Sequence, residues 1–167
     1  FTFNVPDSGL THLQGLSVQQ GWVQLAGTKH WQQGPVLITH WGFSGPAVIK
    51  LSAFAAEYLY EQDYHFPFLI NWCGQKPEAV LETLNKVMED HPKKLVKSNP
   101  QFAIPQRLWA ALCEKNGITE NFRFADLGKR KRNGLMETLV RDAYNAKGKS
   151  TYKEEFVTAG GVDLKAV

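Results

Sequence analysis

The chain has 167 residues, 43% of them hydrophobic, and a formal net charge of +3 at pH 7. That is enough apolar material for one domain with a real core, and too small a charge imbalance to imply nucleic acid or an acidic membrane surface as a partner, so neither is expected. No segment reaches the ~20 apolar residues that span a bilayer, no cleavable signal opens the chain, and its two cysteines, Cys73 and Cys113, have neither disulfide-framework nor metal-ligand spacing. A reducing, cytoplasmic setting without a metal is the expectation.

In chain order, Phe1, Phe3 and Val5 alternate as a strand that ends in the turn residues Pro6-Asp7-Ser8-Gly9. Leu16 to Ala26 is a second extended segment, with Gly21 marking a bulge. Gly27-Thr28 is a hairpin turn, Lys29 to Gln32 a returning strand, and Gly34-Pro35 a break before the apolar strand at Val36. A glycine-rich turn follows, and then a helix with Pro46 at its first position, where the fixed φ and missing N–H cost nothing. Ala47, Val48, Leu51, Phe54, Ala55, Tyr58 and Leu59 recur at three- and four-residue steps and form its buried face.

The turn sets Thr39, His40 and Ser44 beside a helix N-terminus, whose free N–H groups attract anions or carbonyl oxygens. Two readings stand: a ligand-facing turn, or a corner in which Ser44 or Gly45 caps the helix and His40 is an ordinary strand-end histidine. A serine-nucleophile elbow is disfavoured, because Pro46 occupies the position where that motif carries a small residue.

Phe66 to Trp72 reads as a strand. Trp72-Cys73-Gly74 is similar to a thioredoxin site, but Lys76 stands in place of the second cysteine, so the dithiol chemistry is lost. Helices are predicted from Pro77 to about Asp90, from Pro105 to Asn116-Gly117, shortly after Asp126, and from Leu135 to Tyr144. The basic run Lys129 to Arg132 is either a solvated helix end or a phosphate-binding element. Gly148 to Val162 returns to extended structure. The class is α+β: an antiparallel β-rich, barrel-like subdomain (1–62 and 146–167) with an inserted, mostly helical subdomain (63–145).

Two motifs carry a resemblance. Thr39-His40-Trp41-Gly42-Phe43-Ser44-Gly45-Pro46-Ala47 and the tail Gly148 to Val162 resemble, in the right order, two segments of the BaiN/YhiN-like NAD(P)/FAD-dependent flavoprotein oxidoreductases. The G-x-G-x-x-G turn that holds FAD in such proteins is not found here. The chain therefore resembles the inserted domain of that family, between its two crossings from the FAD-binding domain.

The resemblance implies a module that covers the flavin and helps position a small-molecule substrate. FAD would be bound by the partner domain of the same parent chain, with none held by this fragment and no activity from it alone. Thr39, His40, Gly42, Ser44 and Gly45 would face flavin or substrate, and Lys149, Thr151, Tyr152, Thr158, Gly160 and Gly161 would line the return crossing. The surface between the crossings would be apolar and open to self-association. The alternative is a free-standing binding or interaction module presenting Trp22, Trp31 and Trp41 as an aromatic surface.

Overall fold

The computed structural model describes residues 1–148. Strands β1 (Phe3–Asn4), β2 (Ser17–Leu25), β3 (Trp31–Ile38), β4 (Gly42–Ser44), β5 (His65–Asn71) and β6 (Asp142–Lys147) form one antiparallel sheet in the order β1-β4-β3-β2-β5-β6. The outer strands approach each other: the Asn4 side-chain amide donates to the Lys147 carbonyl at 3.0 Å, and the Lys147 ammonium pairs with Asp7. The sheet is thus a nearly closed barrel, in keeping with the α+β expectation.

The barrel is filled mainly by aromatic rings. Phe3 lies 4.9 Å from Phe66 and 4.8 Å from Phe68, and Phe43 lies 4.9 Å from Tyr144, measured between ring centres. Phe3, Phe43 and Phe68 are fully buried, each stabilising the fold by about 2–3 kcal/mol. Helix α1 (Pro46–Phe54) packs against β3 and β2, and α2 (Ala56–Glu61) leads into β5. Between β5 and β6 run α3 (Pro77–Asp90), α4 (Gln106–Glu114) and α5 (Gly128–Val140), with Val80, Leu84, Leu108, Trp109, Leu112, Leu135 and Leu139 buried among them.

The structure corrects several expectations. Gly34-Pro35 does not break the strand: β3 is continuous, because Val18 pairs with Val36 and Gly21 with Gly34 across an irregular step in β2. Pro35, which has no N–H to donate, therefore falls opposite the bulge expected at Gly21, where the ladder is interrupted anyway. The central helix is two helices, broken at Ala55 (φ −106°, ψ 19°), and the break leaves Phe54 73% exposed instead of buried.

Strand β5 pairs with β2 and β6, so His65–Asn71, grouped with the helices by the 63–145 boundary, lies in the barrel. The same holds for Asp142–Asn145. There the predicted helix stops at Val140, and the alternation of Asp142, Tyr144 and Ala146 toward the interior makes a strand. The helical run is Pro77–Val140, inserted between two paired neighbours of one sheet.

Candidate functional site

The corner between β3 and β4 is a tight turn held at both ends. Thr39 N donates to the Gly42 carbonyl at 2.9 Å, and the Gly42 N–H donates back to Thr39 Oγ1 at 3.0 Å. The Trp41 indole N–H donates to Thr2 Oγ1 at 3.0 Å, which buries Trp41 against β1, while His40 stands exposed with its ring edge-on to Trp41 at 4.7 Å. Gly45, at φ +98°, is the N-cap of α1, and no side chain caps that helix. Ser44 is the last residue of β4 and half-buried, so the capping role open to it belongs to Gly45.

The two glycines of this corner are accounted for inside the fold. A Cβ on Gly42 would lie 2.2 Å from the Phe3 carbonyl oxygen, and one on Gly45 2.8 Å from that of Pro35. Their backbones are approached closely by the protein's own strands. The second group of expected site residues, Lys149, Thr151, Tyr152, Thr158, Gly160 and Gly161, lies outside the described residues.

Phe1 and Gly148 both contact Tyr64. The Phe1 nitrogen donates to Ser52 Oγ at 2.8 Å, the Phe1 ring meets Tyr64 edge-on at 5.2 Å, and Gly148 N donates to the Tyr64 carbonyl at 2.8 Å. Asp63 and Tyr64 both take positive φ, at 54° and 58°, a conformation that costs a non-glycine residue about 1–2 kcal/mol. Tyr60, 72% exposed, continues the aromatic contacts to the surface at 6.5 Å from Tyr64.

A buried polar cluster joins barrel and helices, and sequence reading missed it. Asp142 Oδ2 accepts from Trp72 Nε1 at 2.9 Å and from Tyr144 Oη at 2.5 Å. Lys115, just past α4, donates to Asp142 Oδ1 at 3.0 Å and to Tyr144 Oη at 2.6 Å. Burial, followed by the Asp142 charge and hydrogen bond, holds the Tyr144 phenol neutral by raising its pKa. The cluster's only trace in sequence was the inward register of Asp142 and Tyr144. Burial likewise pushes the Cys73 and Cys113 thiols up to about 12, which leaves neither as a reactive thiolate.

The aromatic surface proposed for a free-standing module is not assembled. Trp22 and Trp31 lie side by side at 5.9 Å and Trp31 is half-exposed, but Trp41 is buried elsewhere. Open clefts lie on the helical side instead. One of about 480 Å³ separates the Gly9–Leu13 loop from α4 and is lined by His12, Arg107 and Lys115; another of about 370 Å³ is lined by Lys86, His91, Lys94 and Phe124. No group of His, Cys, Asp or Glu suited to a metal occurs among the described residues, and no helix among them is long and apolar enough to cross a membrane.

Comparison with known proteins agrees with this architecture. The chain is 28% identical over its whole length to a ribosomal RNA dihydrouridine synthase of Haemophilus influenzae, of which it spans 39%. It is 31% identical over 77% of its length to a ribosomal RNA dihydrouridine synthase of Escherichia coli, spanning 30% of that protein. The chain thus spans about two fifths or less of the curated relatives it matches. The model of a family described as "HI0933-like protein barrel and H2TH domain" matches residues 1–157. The nearly closed barrel and the helical run are in keeping with that description, and the chain belongs to the HI0933-like protein barrel and H2TH domain family.

Proposed function

We propose that this chain is the barrel-and-helix part of a larger flavin-dependent oxidoreductase that converts uridine in ribosomal RNA to dihydrouridine, and that it covers the flavin and positions the RNA. The observation that carries the reading is the match, over all or most of this chain, to two proteins named as ribosomal RNA dihydrouridine synthases. On this reading the substrate is a nucleotide within RNA, replacing the small molecule and the exclusion of nucleic acid expected from net charge. The work is done in the cytoplasm.

Saturating the C5–C6 double bond of uracil takes two electrons and two protons, which a flavin is suited to supply. On this reading FAD is held by the partner domain of the parent chain, and this part supplies cover; Gly42 and Gly45 are approached by the Phe3 and Pro35 carbonyls of the fold itself. The proximity of β1 and β6, the first and last strands of the barrel, supports that arrangement, because an inserted unit leaves and re-enters its host through neighbouring points. β1 also pairs with Gly42–Phe43, so the expected flavin- or substrate-facing corner adjoins the first strand.

The test uses cells lacking the full-length parent gene. Mass spectrometry of their ribosomal RNA should show loss of dihydrouridine, restored by the full-length gene and not by this chain alone. Dihydrouridine content unchanged by the deletion would overturn the reading.

A further inference from the structure

The small net charge conceals a strong asymmetry. Residues 77–140 hold eleven of the Lys and Arg residues against eight Asp and Glu, so this helical run carries the chain's whole excess of +3. Within it, two stretches, 86–94 and 123–132, hold eight basic residues against three acidic ones. The fold brings these stretches together. Phe124 N donates to the Lys94 carbonyl and Ala125 N to that of Pro92, both at 2.9 Å, and Leu95 bridges Arg123. Arg132 on α5 donates to Asn85 Oδ1 on α3 at 2.9 Å, which sets the start of α5 against the C-terminal half of α3.

The basic residues here divide by role. Lys131 and Arg132 are used within the fold: Lys131 donates to the Asn116 carbonyl at 3.3 Å and lies over the Phe122 ring, and Arg132 holds α3. Lys93, Lys94, Arg123, Lys129 and Arg130 are exposed, and none forms an ion pair among the described residues. Lys129 and Arg130 also occupy the first turn of α5, the positive end of the helix dipole, where cations destabilise a helix. Folding does not account for positive charge there, whereas a polyanion does.

We propose that Lys93, Lys94, Arg123, Lys129 and Arg130 form a surface that binds the phosphate backbone of RNA and anchors the substrate, a role that rests on the function proposed above and deepens it. Lysine and arginine side chains drawn from several segments suit sequence-independent contact with phosphates, leaving selection of the uridine to groups nearer the flavin.

The experiment uses the full-length parent protein and a fluorescein-labelled RNA hairpin, read by fluorescence anisotropy over a series of KCl concentrations. K129E/R130E should weaken binding about tenfold or more near physiological salt and lower the log–log salt slope by about 1.4–1.8, the release expected for two lost phosphate contacts. Its thermal midpoint should be unchanged or higher, because the exchange places carboxylates at the positive helix end. Lys29→Glu, on the β2–β3 hairpin, should leave both affinity and slope unchanged. Equal loss from Lys29→Glu, or none from K129E/R130E while the wild type binds RNA, overturns this surface and leaves the proposed function standing. Full dihydrouridine formation in cells carrying only K129E/R130E would likewise count against it, whereas failure of the deletion to alter dihydrouridine content removes the function itself.

Discussion

Trp72 Nε1 donates to Asp142 Oδ2 at 2.9 Å, tying the end of β5 to the start of β6 at the point where the helical run departs and returns. The same carboxylate takes the Tyr144 hydroxyl and the Lys115 ammonium, so one buried acid fixes barrel and helices together. Asp142→Ala leaves three donors without their acceptor and should cost about 2–4 kcal/mol, the lower part of that range applying because Lys115 can reach water. Lys115→Met keeps Asp142 bonded to Trp72 and Tyr144 and should cost only about 1 kcal/mol. Urea unfolding of the two variants checks this order, and equal losses would show that the cluster is not centred on Asp142.

How much of this was legible in the sequence depended on the range of the interactions. The bulge at Gly21, the start of α3 at Pro77 and the proline-led start of α1 came from local backbone rules. Pro35 misled because the reason it fits a strand lies in the partner strand's bulge. Phe66–Asn71 could be read as a strand but not assigned to a sheet, since its neighbours β2 and β6 are distant in sequence. At the candidate corner, the resemblance implied that Gly42 and Gly45 face flavin or substrate, and the atoms nearest the places a Cβ would take are the Phe3 and Pro35 carbonyl oxygens. The Asp142 cluster was hidden because Lys115 and Trp72 reach it only through tertiary packing.

Stability should fall at alkaline pH. Cys73 and Cys113 have folded-state values raised to about 12 from 9.0, chiefly by burial, and Tyr144 is raised further. Raised values in the folded state mean that the unfolded chain releases these protons first. Their contribution is fully present below about pH 9 and declines as pH rises toward 12, at about 1.4 kcal/mol per pH unit for each group that is ionised only when unfolded. Thermal midpoints measured at pH 7, 9 and 10.5 should be nearly flat over the first interval and drop over the second, and Cys113→Ala should soften the drop.

Three glycines separate backbone strain from steric exclusion. A Cβ at Gly74 would sit 1.9 Å from the Gln20 carbonyl oxygen and one at Gly42 2.2 Å from that of Phe3, whereas Gly9, at φ +79°, has nothing within 4 Å. Gly9→Ala should therefore cost about 1 kcal/mol from its left-handed conformation alone. Gly42→Ala and Gly74→Ala should each cost about 3 kcal/mol or more, because packed backbone segments must separate to admit the methyl group. Denaturant midpoints of the three variants decide whether close approach within the barrel explains these positions.

At the β3–β4 corner, stability and function should separate between neighbouring residues. Thr39→Val removes the acceptor for the Gly42 N–H and should cost about 1 kcal/mol. Ser44→Ala removes no cap from α1 and should change stability by less than about 0.5 kcal/mol. If the corner faces flavin or substrate in the parent protein, Ser44→Ala lowers dihydrouridine formation without lowering the unfolding midpoint. Wild-type activity from this variant would remove Ser44 from the site.

Phe54 and Tyr60 are 73% and 72% exposed on adjoining helices, and Tyr60 lies 6.5 Å from Tyr64, which Phe1 and Gly148 both contact. Isolated exposed hydrophobic residues are common, but on the function proposed above these two would be covered by the rest of the parent chain. Neither is needed by the barrel core, so Phe54→Ser with Tyr60→Ser should leave this chain's thermal midpoint within a degree or two and improve its solubility. In the full-length parent the same pair should lower the midpoint and raise hydrogen exchange in α1 and α2, because an apolar contact between parts is lost. The decisive comparison is exchange in wild-type protein. Protection of α1 and α2 that is equal in the chain and in the parent would show that the partner docks elsewhere, and protection in the isolated chain that grows with its concentration would assign the patch to a second copy.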